Sequence, residues 1–565
     1  MAEIHTRKCA PSSESSSNAL DRYNKYYECL KAFFRGTHRR QTETVLLWVE
    51  EMAVFAYSHH TGRFADGAIE NIALEIGRDL DYPPLTEAPK YLQQWLSSVR
   101  KGHRRQILHI ATTIFKVGGH TRTISNWIRS DPDSQHSLVL TRQRAVAIPE
   151  WLIETVHRNG GELIILPGEM GLLAKARILR SMAQAYADFI VLHHGGSDVT
   201  PVVAFATQDL PPVAILNHCD HAFWLGSSIA DIVINQREAG ARLSTQRRFV
   251  TCNTVLPIPL AESPPGVSRC TARQTLGIPP DHLMLLTVGR GDKYRPTQSQ
   301  DFFRTVHKVL DRVQNTHLYV VGLSEVEAVR YQLNALHPRM HLRGPVQDPS
   351  MYQAAADLYL ESFPFGSATA LLEAARAGVP VVLPFAPPFD LLVTNHGLEA
   401  IVSNPGSEEE YIDRIHFLMN NAVERGLLGQ VLQDHVCSHH IGEGWRRQLA
   451  NVYHLVEGCK HNPKPIPIAD CSSSNADVAM SEWQAFLNGN VDSATEDIKT
   501  VREVVFGAAY AAREAGDYQG AFELLWRYLY TYGFDRGMLV AAAKLPVHRV
   551  YQRCASIMAL ITPAA

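Results

Sequence analysis

Residues 357 to 384 read DLYLESFPFGSATALLEAARAGVPVVLP, and this stretch decides the fold. Leu358 to Leu360 is a short apolar run suited to a buried parallel strand. Pro364 and Gly366 break it, Ser367 and Thr369 offer N-cap or first-turn chemistry, and Ala370 to Ala377, rich in Ala and Leu with Glu373 and Arg376 interposed, predicts a helix. Gly378 can take the left-handed C-terminal conformation, and Val379 to Leu383 predicts the next buried strand. A helix that opens on a small-residue loop at the C-terminal edge of a strand presents unpaired N–H groups and the positive end of its dipole, which suits a phosphate. An ordinary strand–helix–strand crossover has the same texture, so the stretch alone leaves both readings open.

The same alternation extends in both directions. Upstream, ILHIATT after Gln106 is a β-branched run that ends in Lys116-Val117-Gly118-Gly119-His120-Thr121-Arg122, ahead of an amphipathic helix through Trp127 and Ile128. Further strands are predicted at SLVL, ELIIL, 188–193, 212–217 and 231–235. After a Pro- and Ser-rich loop over 257–267, strands restart at HLMLLTVG, THLYVVG, MHLRG, the central stretch and Glu399 to Ser403. This is the pattern of two parallel-sheet, Rossmann-like domains in tandem, with a cleft between their facing strand ends. The expected order is a disordered Ser-rich tail over 1–20, a helical module over 21–102, sheet domains over 103–258 and 259–458, a linker over 459–479 and a helical segment over 480–565. Arg513 to Gly533 has the texture of half a tetratricopeptide repeat without a periodic array, and a helical cap accounts for it.

Composition narrows the function classes. The 565 residues are 45% hydrophobic and 20% charged, with a formal net charge of −3, so no basic field draws nucleic acid. No run approaches the roughly 18 apolar residues of a membrane span, and MAEIHTRKCAPSSESSSNAL lacks the apolar core of a signal peptide, so a cytoplasmic location is expected. Nine scattered cysteines indicate neither a disulfide framework nor a zinc ribbon, and Cys437, His439, His440, Cys459 and His461 fit no common metal spacing. The carboxylate pairs Asp79/Asp81 and Asp131/Asp133 read as solvated loop groups rather than metal–diphosphate ligands.

Taken together, GGHTR after the first strand, VGRGDKYRP after the seventh, HLRG, and SFPFGSATALLEAARAGVPVV resemble glycosyltransferases of the GT-B fold over about Gln106 to Asn421. Within that fold the chain resembles O-GlcNAc transferase and its bacterial relatives, including the cytoplasmic enzymes that glucosylate adhesins. The resemblance implies an α/β GT-B architecture, a UDP-sugar donor, no cofactor, and a polypeptide acceptor for which the N-terminal helical module is a docking surface. It implies a donor-binding set of Gly119, Arg290, Arg295, Arg343, Gly366, Ser367, Ala368, Thr369 and Glu373. Lys293 matches the lysine of a Lys-x-x-Pro segment that binds the donor diphosphate, and Leu391 to Leu398 with Glu410-Tyr411 matches a segment that closes the C-terminal lobe. Retaining members carry a Glu eight residues before Glu373; this chain has Phe365 there, which implies inversion. Where relatives have two adjacent Thr after the glycines, this chain has Ser367-Ala368-Thr369.

The chemistry agrees with this assignment. A diphosphate leaving group gathers negative charge as the sugar carbon becomes cation-like, and a lysine point charge with helix-end amides can stabilise that charge without a metal, so none is expected. Lys293 lies in the loop after a strand and should face the helix that starts near Ser367. His120 follows a Gly pair at the corresponding edge of the first domain and is placed to act as a base or to orient donor or acceptor. His193 and His194 end one strand of that domain, and His218, Asp220 and His221 end the next, as walls of the cleft or acceptor contacts. Other acceptors, a sugar-nucleotide epimerase and a silent binding protein share this sequence pattern.

Overall fold

The computed structural model describes residues 18–34, 41–81, 104–116, 118–143, 148–262, 266–297, 300–331, 336–385, 396–487 and 494–543 except 515 and 533–535, with isolated positions at 90, 93, 95 and 333. Of the expected tail, 1–17 lies outside the described residues and Ala19 opens the helix Ala19–Phe34. Leu391 to Asn395 also lies outside them.

The first sheet has seven parallel strands: β1 (Arg105–Ala111), β2 (Ser134–Leu140), β3 (Leu163–Ile165), β4 (Phe189–His193), β5 (Val213–Asn217), β6 (Ile232–Asn235) and β7 (Asn253–Val255). Their order is β3-β2-β1-β4-β5-β6-β7, which reverses direction beside β1. β2, β4, β5 and β6 are buried along their whole length, as strands covered by helices on both faces must be. β7 escaped the sequence reading because it is three residues long, half-buried and at the sheet edge.

The second sheet comprises β8 (Leu283–Val288), β9 (Thr316–Val321), β10 (Met340–Leu342), β11 (Leu358–Leu360) and β12 (Val381–Val382), in the order β10-β9-β8-β11-β12. Within the deciding stretch the helix runs Thr369–Arg376 and Gly378 has φ 75°, as its sequence requires. The strand expected over Glu399 to Ser403 does not form; Leu398–Ala400 is a single 3-10 turn. Leu398 and Val402 are buried while Glu399 and Ala400 are exposed, a helical spacing rather than an alternating one. Two parallel-sheet domains with facing strand ends make this an α/β protein of GT-B architecture.

The chain passes between the domains twice. It leaves the first sheet near Pro257 and returns at His440, where the helix Gly442–Glu457 lays Trp445, Leu449, Val452 and Tyr453 against the first sheet, although the residues before it belong to the second domain. The boundary expected at 458 therefore falls one helix beyond the crossing. The two passages are bonded to each other: Leu260 N donates to His440 O (2.9 Å), His440 Nδ1 lies 2.8 Å from Ile258 O, and Trp445 Nε1 donates to Pro257 O (2.7 Å).

The helices Thr42–Ser58 and Gly67–Arg78 pack on the first sheet domain, and the buried Arg180 joins the end of Gly67–Arg78 to the end of the short helix Thr200–Ala204 by donating to the carbonyls of Gly77, Leu80, Val203 and Ala204. Residues 459–474 are an extended strap over this module: Lys464 N donates to Ser228 O, Gly67 N to Pro467 O and Ser472 N to Gly62 O. The helices that follow, Asn475–Leu487, Ala494–Glu514 and Tyr518–Tyr532, pack on the N-terminal module, with Val505, Ala508 and Leu524 in one core with Trp48 and Leu46.

Candidate active site

On the second-domain side, β8 ends at Val288 and the chain turns through a 3-10 segment, Gly291–Tyr294, pinned by Tyr294, whose hydroxyl lies 3.0 Å from Thr287 Oγ1. This holds Lys293 so that its Nζ donates to Gly366 O and lies 4.7 Å from the centre of the Phe365 ring. Burial lowers Lys293 to about 8, against the pull of Glu361. Arg290 is exposed and pairs with Asp292 at 3.0 Å; Arg295 is buried, and burial brings it down to about 9. Arg343 stands apart, exposed at the end of β10 with its guanidinium 5.2 Å from the Tyr319 ring.

Glu361 occupies the helix start. Fully buried, it accepts from Ser367 N and from Ser367 Oγ (2.7 Å), with the Ala368 amide also bonded to it. Burial raises it to about 7, against those bonds and Lys293. A carboxylate thus sits where free amides were expected, the favourable place for an anion at a helix N-terminus. Ala368 bridges loop and helix with φ 55°.

The first-domain side meets this loop directly. The helix Gly119–Ser130 begins where a Cβ on Gly119 would lie 3.0 Å from Thr369 Oγ1, and Arg122 reaches Glu373 at 3.2 Å. Glu373 is therefore engaged across the cleft. His120 hydrogen-bonds the His193 backbone, leaving its buried Nε2 without a partner. Its ring stacks on His218 with centroids 4.2 Å apart, and burial, then His218, pull it well below the ordinary histidine range.

His218 is adjacent to Cys219. Burial works against both charges, yet each holds the other's: the imidazole is raised and the thiol is lowered. Asp220 has a structural partner in Arg237 (Nη2–Oδ1 3.0 Å), and burial is outweighed by that guanidinium, which keeps the carboxyl well below its usual range. His194 Nε2 contacts Leu225 O at 2.5 Å and is a wall residue; His221 meets the edge of Phe365 at 5.1 Å. His193 points into the sheet toward His109.

Several participants escaped the sequence reading. Trp483, from Asn475–Leu487, stacks on Phe365 at 5.0 Å, and with Phe64, Leu243 and Met480 covers one end of the cleft. His396 is buried beside Arg237 of the opposite domain, and burial, then that guanidinium, lowers it to about 3. Of the carboxylates read as solvated, Asp131 is buried and bonded to Tyr453 (2.6 Å) because the helix Gly442–Glu457 covers it; Asp81 is exposed and pairs with Arg177. The histidines considered for metal are engaged separately, His461 with Asp231 and Phe205 O, His440 with Ile258 O.

Residues 282–421 match the family described as Glycosyl transferases group 1. No curated protein matches the chain. Among solved structures, HepE of Anabaena in complex with UDP and glucose is similar at 15% identity over 62% of this chain and all of its own, with a TM-score of 0.47. A mutant of Thermobaculum terrenum O-GlcNAc transferase is similar at 14% identity over 78% of this chain and 82% of its own, TM-score 0.45. Sucrose-phosphate synthase from Thermosynechococcus elongatus is similar at 15% over 62% and 98%, TM-score 0.43. The matched region is the second sheet domain, from β8 to the helix Glu408–Asn420.

Proposed function

We propose that the protein transfers a hexose or N-acetylhexosamine from a UDP-sugar to a polypeptide, with inversion, in the cytoplasm. The observation that carries this reading is the meeting of two loop-to-helix starts, Gly119-His120 and Gly366 to Thr369, with the Lys293 ammonium bonded between strand end and loop. In the step, the acceptor's heteroatom bonds to the anomeric carbon while the bond from that carbon to the diphosphate oxygen breaks, and the electron pair leaves with UDP. Lys293 meets the charge that grows on the leaving diphosphate. The acceptor's proton goes to a base, for which His120 Nε2, buried and unpartnered, is the leading group. Phe365 cannot supply the carboxylate that would hold the sugar for retention, and Glu361 is committed to Ser367.

The test is to incubate the protein with UDP-glucose, UDP-N-acetylglucosamine and related donors in cell lysate, and to identify which macromolecule gains mass. A polypeptide that gains a hexose, with a β-linked product from an α-linked donor by anomeric proton coupling, is the expected result. Mass gained by lipid or glycan would displace the polypeptide acceptor, an α-linked product would displace inversion, and epimerised free donor would displace transfer.

A further inference from the structure

Three adjacent strands of the first sheet carry a histidine on the same face. His136 lies on β2, His109 on β1 and His193 on β4; in register His136 aligns with Ile107, His109 with Val191 and His193 with Ala111, so the row climbs two residues per strand toward the cleft edge. His136 Nδ1 and His109 Nε2 are 2.8 Å apart, as are His109 Nδ1 and His193 Nε2, with rings 5.1 Å centre to centre at each step. At the far end His136 Nε2 lies 3.2 Å from Asp131 Oδ2, and Tyr453 holds that carboxylate. Trp127 packs edge-on against His109 and His193, and all three imidazoles are fully buried.

The carboxylate sets the direction of the row by its charge: His136 Nε2 stands 3.2 Å from it, within ion-pair reach but off the line of a hydrogen bond. Facing Asp131, His136 carries its proton on Nε2 and leaves Nδ1 to accept from His109 Nε2–H; His109 Nδ1 then accepts from His193 Nε2–H. The opposite arrangement would turn a lone pair on His136 toward an anion. The consequence appears at the cleft end, where His193 Nδ1 is a lone pair, buried and without a partner. The ring centres of His120 and His193 lie 6.1 Å apart, and a water between their two unpartnered nitrogens, His120 Nε2 and His193 Nδ1, would join them.

We infer that Asp131, His136, His109 and His193 are positioning residues forming a proton store for the reaction proposed above, on whose glycosyl-transfer reading this inference rests. Once His120 has taken the acceptor's proton at Nε2, it passes that proton to the bridging water, which gives one of its own to His193 Nδ1. His193 Nε2–H moves to His109 Nδ1, and His109 Nε2–H moves to His136 Nδ1. No proton is gained or lost in the row beyond the one received, and the positive charge comes to rest on His136 beside the Asp131 carboxylate. When product leaves, the proton returns by the same route to solvent and each tautomer is restored. A neutral, apolar filling of the sheet would need none of these groups, and burial keeps His109 and His193 neutral at rest.

The first measurement uses the wild-type protein with ¹⁵N-labelled histidine. NMR at pH 7 is expected to find His136, His109 and His193 protonated on Nε2; a resting Nδ1–H form at any of the three overturns the inference, whatever the enzymatic activity. The second follows UDP release from UDP-glucose and UDP-N-acetylglucosamine, with UDP affinity by calorimetry, in wild type, His109→Gln and Asp131→Asn. Expected are a kcat at least tenfold lower in either variant, a UDP Kd within twofold of wild type, and a curved solvent-isotope proton inventory that becomes linear. A kcat within twofold in either variant that folds and binds UDP overturns the relay. A wild type that binds no UDP and consumes no nucleotide sugar overturns the glycosyl-transfer reading instead, and the tautomers still decide the direction of the row.

Discussion

Lys293 carries its charge where charge is costly. Burial has brought it to about 8, so the cationic form that a diphosphate needs is present below that value and is lost as pH rises through it. UDP affinity of the free enzyme is therefore expected to fall above about pH 8, measured by calorimetry across pH 6.5 to 9.5. Replacing Lys293 with Arg, whose charge persists, should abolish that limb. Lys293→Ala should lower turnover by about 2–4 kcal/mol of transition-state stabilisation, or roughly 30- to 1000-fold, with an unchanged melting temperature. Activity within threefold of wild type would remove Lys293 from the site.

The two loop-to-helix starts that meet at the cleft predict a different kind of effect. Gly119 is held to glycine by a neighbour rather than by its backbone, since an added Cβ would stand 3.0 Å from Thr369 Oγ1. Gly119→Ala should wedge the loops apart at about 1–3 kcal/mol, raising the donor KM roughly 5- to 150-fold while melting stays within a few degrees. If the donor KM does not change, these loops do not close on the donor. Because Lys293 is expected to meet the charge of the diphosphate without a metal, UDP release should survive excess EDTA. Loss on chelation, restored by Mg²⁺ or Mn²⁺, would require carboxylate ligands. The deciding stretch could be read almost residue by residue because strand, breaker, helix and Gly378 follow one another locally. The contacts that complete the site could not: Glu361 reaching Ser367 depends on how a tight loop folds back, and Arg122 meets Glu373 across 251 residues of chain. The imidazole row was invisible for the same reason, since only strand order and register bring His136, His109 and His193 together.

At the scale of the whole molecule, the helices before the first sheet and the described helices after 474 make one body. Trp48 Nε1 donates to Ala508 O, His60 Nε2 lies 2.8 Å from the buried Asp477 Oδ1, and the last helices share their core with the first. Deleting 475–565 should uncover the apolar faces of Ala19–Phe34 and Thr42–Ser58 and send the protein into the insoluble fraction, while the excised piece supplied in trans should recover soluble protein. Full solubility of the truncated chain would show that the N-terminal module stands alone. The double passage between the sheet domains has a mechanical consequence. Two covalent connections bonded side by side, at 257–260 and at 440–445, act as a hinge with two knuckles on one pin. Such a joint permits swing and forbids both separation and sliding, so His120 and Ser367 can only part along an arc and must come back to the same register. Opening would then be a single angle, and fluorophore pairs set across the cleft should share one rate, with an amplitude that grows with their distance from the hinge.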